Sequence, residues 1–415
     1  MVKQLKISTF TIAIYLLWIA AVFDPIGNLF MLRYIALAGA MVCVVLSEFY
    51  LKLLGRPPSL KVVTILYISF LMPAYGFEMY AIRGGYTSKL IDTSYAAAGL
   101  LLLTSLLYDN EHLCRVGIRA MVLSLRLLVF VVVSVYAATT FGLGDEWISF
   151  FTERSTALVS TREFADITLP YIYFLASPML IYLIAYDLNK LANTLSIKSV
   201  LMCAFSIFAF ALSGTRAHII LALAYPPLFY IFAYSRHKVI LTFLFALLVM
   251  WFVGLFDFKI TSAFFAANET DNAMKLHMLA NYSEMFNDPL TFIFGQGYNA
   301  HAWSPLLREM IATEVNASKT ELTYIEIVRV YGLLISIPFF LLLCILGYRV
   351  SKTSDEYRWL YPAFAIYLLN SSFNPYLFST NGMLPLALIA AIVSLTGKSH
   401  NVRMSRDENL GFQVE

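Results

Sequence analysis

Lys238–Phe256, KVILTFLFALLVMWFVGLF, carries no charge after its first residue and no turn signal apart from Gly254. About 20 such apolar residues are what a helix needs to cross the hydrocarbon core of a bilayer. The rest of the chain has the same character. Of its 415 residues 60% are hydrophobic and only 13% charged, and the mean hydropathy is +0.73. Soluble domains have roughly 25% charged residues. A soluble protein of this length lacks the interior to hide so much apolar surface from water. Disorder, a collagen-like or coiled-coil rod and a soluble enzyme are therefore excluded. The net charge of +3 is too small to point to nucleic acid.

Outward from that stretch, twelve segments have the length and polarity of spanning helices: 7–23, 29–51, 60–82, 90–108, 118–141, 168–187, 197–212, 217–234, 238–256, 322–347, 358–376 and 381–397. The first reads as a retained helix, since no small-residue cleavage site follows it. Only Ser213-Gly214-Thr215-Arg216 separates the seventh from the eighth, which predicts a tight hairpin. Pro226-Pro227, Pro338 and Pro385 lie inside spans and are expected to kink them by removing backbone donors. The fold class expected is an all-α polytopic membrane protein.

Basic residues set the orientation. Lys3, Lys6, Lys52, Arg56, Lys61, Arg115, Arg119, Lys190, Lys198, Arg236, Lys238, Arg349, Lys352, Arg358, Lys398, Arg403 and Arg406 fall on one side in short loops. Arg83, Lys89, Arg154, Arg162, Arg216, Lys259, Lys275, Arg308 and Lys319 fall on the other, in longer ones. The richer side is expected to be cytoplasmic, with both termini inside. The domains are then nine helices over 1–256, a large outer loop over 257–321, three helices over 322–397 and a polar cytoplasmic tail over 398–415.

The outer residues are where chemistry is expected. Over Asp271–Asp288 a helical projection puts Met274, Met278, Tyr282 and Met285 on one face and His277, Asn281, Glu284 and Asp288 on another. This predicts an amphipathic helix ended by Pro289. It lies in the membrane interface, and its polar face is placed to line a site. Gly295 and Gly297, in FIFGQGYNAH over 292–301, signal a tight turn or a close backbone approach. His277 and His301 have no third ligand for zinc. Cys43, Cys114, Cys203 and Cys344 form no disulfide or metal motif. Arg216, held in a short turn at the membrane boundary, is either an interfacial anchor or a phosphate ligand. Glu326 and Arg329, three residues apart on one helix, are expected to pair. Glu321 has no cation at helical spacing and is freer to act as a base.

Three blocks resemble the O-antigen polymerase family (the Wzy type) and its relative, the O-antigen ligase. They are Leu212-Ser-Gly-Thr-Arg216, Asp288-Pro-Leu-Thr-Phe-Ile-Phe-Gly295-Gln-Gly297 and Thr320-Glu-Leu-Thr-Tyr-Ile-Glu-Ile-Val-Arg-Val-Tyr-Gly332. They span about a third of the chain, in the family's order and topology.

The resemblance implies a glycosyltransferase of the bacterial inner membrane with its site facing the periplasm. It would join oligosaccharide units carried on undecaprenyl pyrophosphate into a surface polysaccharide. It would need no metal or other cofactor, because cations of the chain can stabilise the departing pyrophosphate. Its partners would be the lipid-linked oligosaccharide, the bilayer and a chain-length regulator. By block match Arg216 would hold pyrophosphate, with Lys275, His277, Arg154, Arg162 and Lys319 as further substrate contacts.

The ligase's histidine-asparagine pair is replaced here by Lys319-Thr320-Glu321. That departure favours the polymerase and makes Glu321 or His301 the expected base. The arginine-x10-glycine motif of some polymerases is absent, since Tyr173 stands eleven residues after Arg162. A ligase-like transferase and a lipid-linked oligosaccharide flippase remain the alternatives.

Overall fold

The computed structural model describes residues 2–25, 60–83, 94–108, 110–143, 145–153, 157–164, 167–213, 216–255, 276, 279, 282–283, 286–298, 322–372 and 374–411. The expected span 29–51 lies outside them. Helix α1 covers Val2–Phe23. Helices α2 (Leu60–Ile65) and α3 (Met72–Arg83) continue one another through a π-helical turn, Leu66–Leu71. Helix α4 (Ser94–Leu100) tightens into a 3-10 helix, Leu101–Leu107. Then come α5 (Glu111–Thr140), α6 (Asp145–Thr152) and strands β1 (Ala157–Phe164) and β2 (Ile167–Phe174). Helices α7 (Leu180–Asn193), α8 (Ile197–Leu212), α9 (Arg216–Tyr234) and α10 (Lys238–Leu255) follow. A short α11 (Pro289–Phe294) precedes α12 (Thr323–Ser351), α13 (Leu360–Asn370) and α14 (Thr380–Gly411).

Three helical stretches, Leu60–Ile82, Glu111–Thr140 and Thr323–Ser351, are long and apolar enough to cross a membrane, and shorter apolar helices stand beside them. Two apolar helical stretches, one in α14 and one in α10, show what the surroundings must be. In α14 every residue from Met383 to Val393 is buried, so protein covers it on all sides. It packs on the 3-10 helix Leu101–Leu107, α2, α5 and α12. In contrast, α10 packs chiefly on α9 and leaves Val239, Ile240, Phe243, Leu244 and Leu248 more than half exposed. Water would penalise that surface and lipid would not.

Two polar contacts tie helices together inside the bundle. Arg126, which the sequence leaves stranded in a span, forms an ion pair with Asp187. Ser206 Oγ donates to the other carboxylate oxygen at 2.8 Å. One carboxylate thus joins α5, α7 and α8. Trp18 Nε1 donates to Tyr108 Oη at 3.1 Å, tying α1 to the end of the 3-10 helix.

The all-α expectation needs correction. Strands Ala157–Phe164 and Ile167–Phe174 pair antiparallel, with Arg162 opposite Leu169 and Thr161 opposite Pro170. Segment 168–187, expected to be one spanning helix, is β2, a 3-10 turn at Ser177–Met179 and the first half of α7. The sequence ITLPYIYF is as apolar as a helix. But its β-branched and aromatic residues suit a pleated strand, and Pro170 would cost a helix interior a backbone hydrogen bond. A lone hairpin is marginal, and this one is held from below: Phe151 of α6 meets Phe174 edge-on at 5.2 Å, and Ala157 and Ile172 are buried. Helix α14 continues into the polar segment that begins at residue 398 and stays helical through Gly411.

Candidate functional site

The site begins with a break in α12. Gly332 adopts φ 65°, ψ 173°, which divides the helix into an N-terminal and a C-terminal half. A break frees carbonyls that would otherwise accept within the helix. The Gly295-Gln296-Gly297 segment takes two of them: Gln296 N donates to Arg329 O at 2.7 Å and Gly297 N to Val330 O at 2.9 Å. The expected close approach at these glycines is therefore present. A Cβ on Gly295 would stand 2.5 Å from Gly332 N, and one on Gly297 would stand 2.7 Å from the backbone carbon of Met79 in α3. Both glycines have positive φ, which side chains disfavour. Tyr298 continues the anchor, donating through N to Gly76 O at 3.2 Å and sharing a 3.0 Å hydroxyl contact with Tyr331. The Gln296 amide oxygen, among the described residues, is buried with no hydrogen-bond partner.

Pro289 marks a boundary, as expected, but the preceding residue has a different task. Asp288, assigned by projection to a polar face, caps α11: its carboxylate accepts from Leu290 N and Thr291 N, each at 3.2 Å, and from Thr291 Oγ1 at 2.6 Å. Proline in the first turn of the helix suits its missing donor.

The N-terminal half of α12 carries the expected Glu326–Arg329 pair. Arg329 Nε donates to Glu326 Oε2 at 2.7 Å and Nη2 to Oε1 at 2.6 Å. Both side chains are buried, and Tyr282 of the large loop segment donates to Oε2 at 2.7 Å. A saturated carboxylate of this kind is a poor general base. Its role is to seat Tyr282, and the loop that carries it, on the half-helix.

The tight hairpin is as expected: α8 ends at Leu212 and α9 begins at Arg216. Sequence reasoning passed over His218, two residues beyond. Its ring is buried against Phe210 at 4.5 Å and near Tyr376 at 5.9 Å. Nδ1 lies 2.5 Å from Ser213 Oγ, which donates to Phe210 O at 2.6 Å, and Asn370 Nδ2 lies 3.2 Å from Nε2. The donors balance if Nδ1 carries the proton and Nε2 accepts from Asn370, a tautomer inferred from the network. The imidazole is thereby locked as a brace under the turn that leads to Arg216. The available signal was a lone histidine in the first turn of an apolar helix, where only a buried partner makes it tolerable.

A second overlooked element is the turn after α13. Thr323 Oγ1 donates to Asn374 O at 2.7 Å. Tyr173 of β2 and Tyr376 both lie against the His218 ring, with centroids 6.5 and 5.9 Å away, and Asn370 stands at its Nε2. The starts of α9 and α12 and the end of β2 are thus gathered around residues 370–376.

Of the residues expected to act, Arg216 opens α9 and Arg162 lies in β1; their side chains lie outside the described residues. Arg154, Lys275, His277, His301, Lys319 and Glu321 also lie outside them. Glu321 immediately precedes Leu322, the N-cap of α12.

No family model matches the chain, and no curated protein matches it in sequence. Fold and composition define its class, a mostly helical membrane protein, with a long apolar helix broken at Gly332.

Proposed function

We propose that the chain polymerises undecaprenyl-pyrophosphate-linked oligosaccharide units into a surface polysaccharide of the O-antigen type at the periplasmic face of the inner membrane. The observation that carries this reading is the meeting of separated segments. The 288–297 block is hydrogen-bonded to the 320–332 block, and the 212–216 block reaches the latter through residues 370–376.

The reaction needs a base for the acceptor hydroxyl and cations for the leaving pyrophosphate. Glu321 or His301 is assigned the first task. Arg216 is assigned the second, with Lys275, His277, Arg154, Arg162 and Lys319 as further contacts and a chain-length regulator as partner. A guanidinium can hold two phosphate oxygens at once, whereas an ammonium is a point charge.

In a strain lacking the gene, Arg216→Ala at matched membrane levels is expected to abolish long polysaccharide chains. Its turnover should fall by about 10²–10³, while Arg216→Lys keeps partial function. A wild-type ladder from Arg216→Ala would reduce Arg216 to an interfacial anchor.

The broken α12 favours one second reading, a flippase, because transporters bind substrate at interrupted helices. The two readings separate in vesicles that contain the purified protein and lipid-linked units on one leaflet only. Polymer formation supports the first, and movement of unpolymerised units across the bilayer supports the second.

A further inference from the structure

Four helix ends meet on one side of the bundle: the end of α9 at Tyr234, the start of α10 at Lys238, the end of α12 at Ser351 and the start of α13 at Leu360. They enclose a cavity of about 190 Å³ whose lining includes Tyr234, Lys238, Ser351, Arg358 and Tyr361. At about 30 Å³ per water, that is room for a phosphate group with bridging waters.

The charge in this cavity is unbalanced. Lys238 Nζ stands 4.2 Å over the Tyr361 ring, and Arg358 faces Tyr234 at 5.8 Å. Lys352, next to Ser351 of the lining, stands at the rim with its Nζ 5.6 Å over the Tyr348 ring and adds to the positive charge at Lys238. Two carboxylates are near, and both are engaged: Asp355 on Arg358 at 2.5 Å and Glu356 on Arg115 at 3.6 Å. Among the described residues neither Lys238 nor Lys352 has a carboxylate partner. Lys238 also occupies the first turn of α10, which has no acidic residue. A cation is the wrong sign for the positive end of a helix dipole. An anion in the cavity would relieve both the cation cluster and the helix end.

Directly beyond the cavity the surface is apolar. Val239, Ile240 and Phe243 of α10 are 83%, 59% and 62% exposed. A ligand that fits both halves has an anionic phosphate at one end and hydrocarbon at the other. We infer that this cavity binds the phosphodiester headgroup of an anionic phospholipid, with the acyl chains lying along the exposed face of α10. The inference does not depend on the polymerase reading or on which side of the membrane this end faces.

The test uses the full chain in detergent, with native mass spectrometry against phosphatidylglycerol and phosphatidylcholine of identical acyl chains. Wild type is expected to retain phosphatidylglycerol preferentially. Each lysine removed should lower that retention about fivefold, so Lys238→Gln with Lys352→Gln lowers it about 25-fold, with phosphatidylcholine unaffected. Lys238→Arg should keep the preference. Equal retention of phosphatidylglycerol by wild type and the double variant would overturn the inference. So would its displacement by an equal concentration of inorganic phosphate, which would make this a free-anion site. If the double variant does not fold, the wild type decides. Retention of phosphatidylglycerol alone must then weaken from low to high salt, and salt-independent retention counts against the site.

Discussion

At the scale of single residues, the buried Glu326–Arg329–Tyr282 group shows how the large loop is secured. Both ions are desolvated, so the pair is held by its geometry: two parallel hydrogen bonds from the guanidinium, with the Tyr282 hydroxyl on the same carboxylate. Removing one partner leaves a buried charge uncompensated, at a cost of about 3–5 kcal/mol. Arg329→Ala is therefore expected to lower unfolding stability by that amount, and Tyr282→Phe by about 1.5–3 kcal/mol. Chemical denaturation in detergent measures both. Wild-type stability in Arg329→Ala would mean that the pair is hydrated.

This pairing was legible in the sequence, because spacing along one helix determines which side chains meet. The His218 brace was not, since Asn370 lies 152 residues away and no local pattern encodes such a contact. Arg126 is a similar case: its partner Asp187 sits on another helix, and the sequence could mark only an unexplained charge.

At the scale of elements, helices with one dominant signal were readable and the places where two signals compete were not. The hairpin between α8 and α9 and the prolines inside α9, α12 and α14 fall where spacing puts them. The strand pair was misread because hydropathy averaged over a window registers apolarity and ignores backbone preference. The break in α12 was expected at Pro338, yet the non-helical residue is Gly332. Proline disturbs a helix locally, whereas Gly332 is turned by an outside partner, the 293–297 segment, whose atoms crowd its α-carbon.

Gly142 offers an internal comparison. It too has positive φ, but a Cβ there would meet nothing within 4 Å. Gly142→Ala should cost only the conformational term, about 1–2 kcal/mol. Gly332→Ala should cost distinctly more, because a Cβ would stand 2.5 Å from Gly295 N. Thermal unfolding of the two variants side by side measures the difference, and equal midpoints would mean that the glycine segment does not pack on α12.

At the scale of the whole molecule, charge bias makes a statement about sidedness that can be tested directly. Reporter fusions at His237 and Asn299 are expected to report opposite sides of the membrane, His237 cytoplasmic and Asn299 periplasmic. Fusions on the same side would remove both the span assignment and the proposed site. The architecture itself divides into a covered helix, α14, around which others pack, and a peripheral helix, α10, which meets the surroundings on most of its circumference.

The two residues that bound the stretch 299–321 are anchored on one element: Tyr298 shares its hydroxyl contact with Tyr331, and Leu322 is the N-cap of α12. Gly297 is bonded at Val330, eight residues from Leu322, so the two attachment points lie about 12 Å apart along the helix axis. Doubling the length of chain that closes such a gap costs only about 0.6 kcal/mol. Lengthening the stretch between those points is therefore expected to cost the fold little, as a tool is changed in a chuck while the helices that hold it stay as they are.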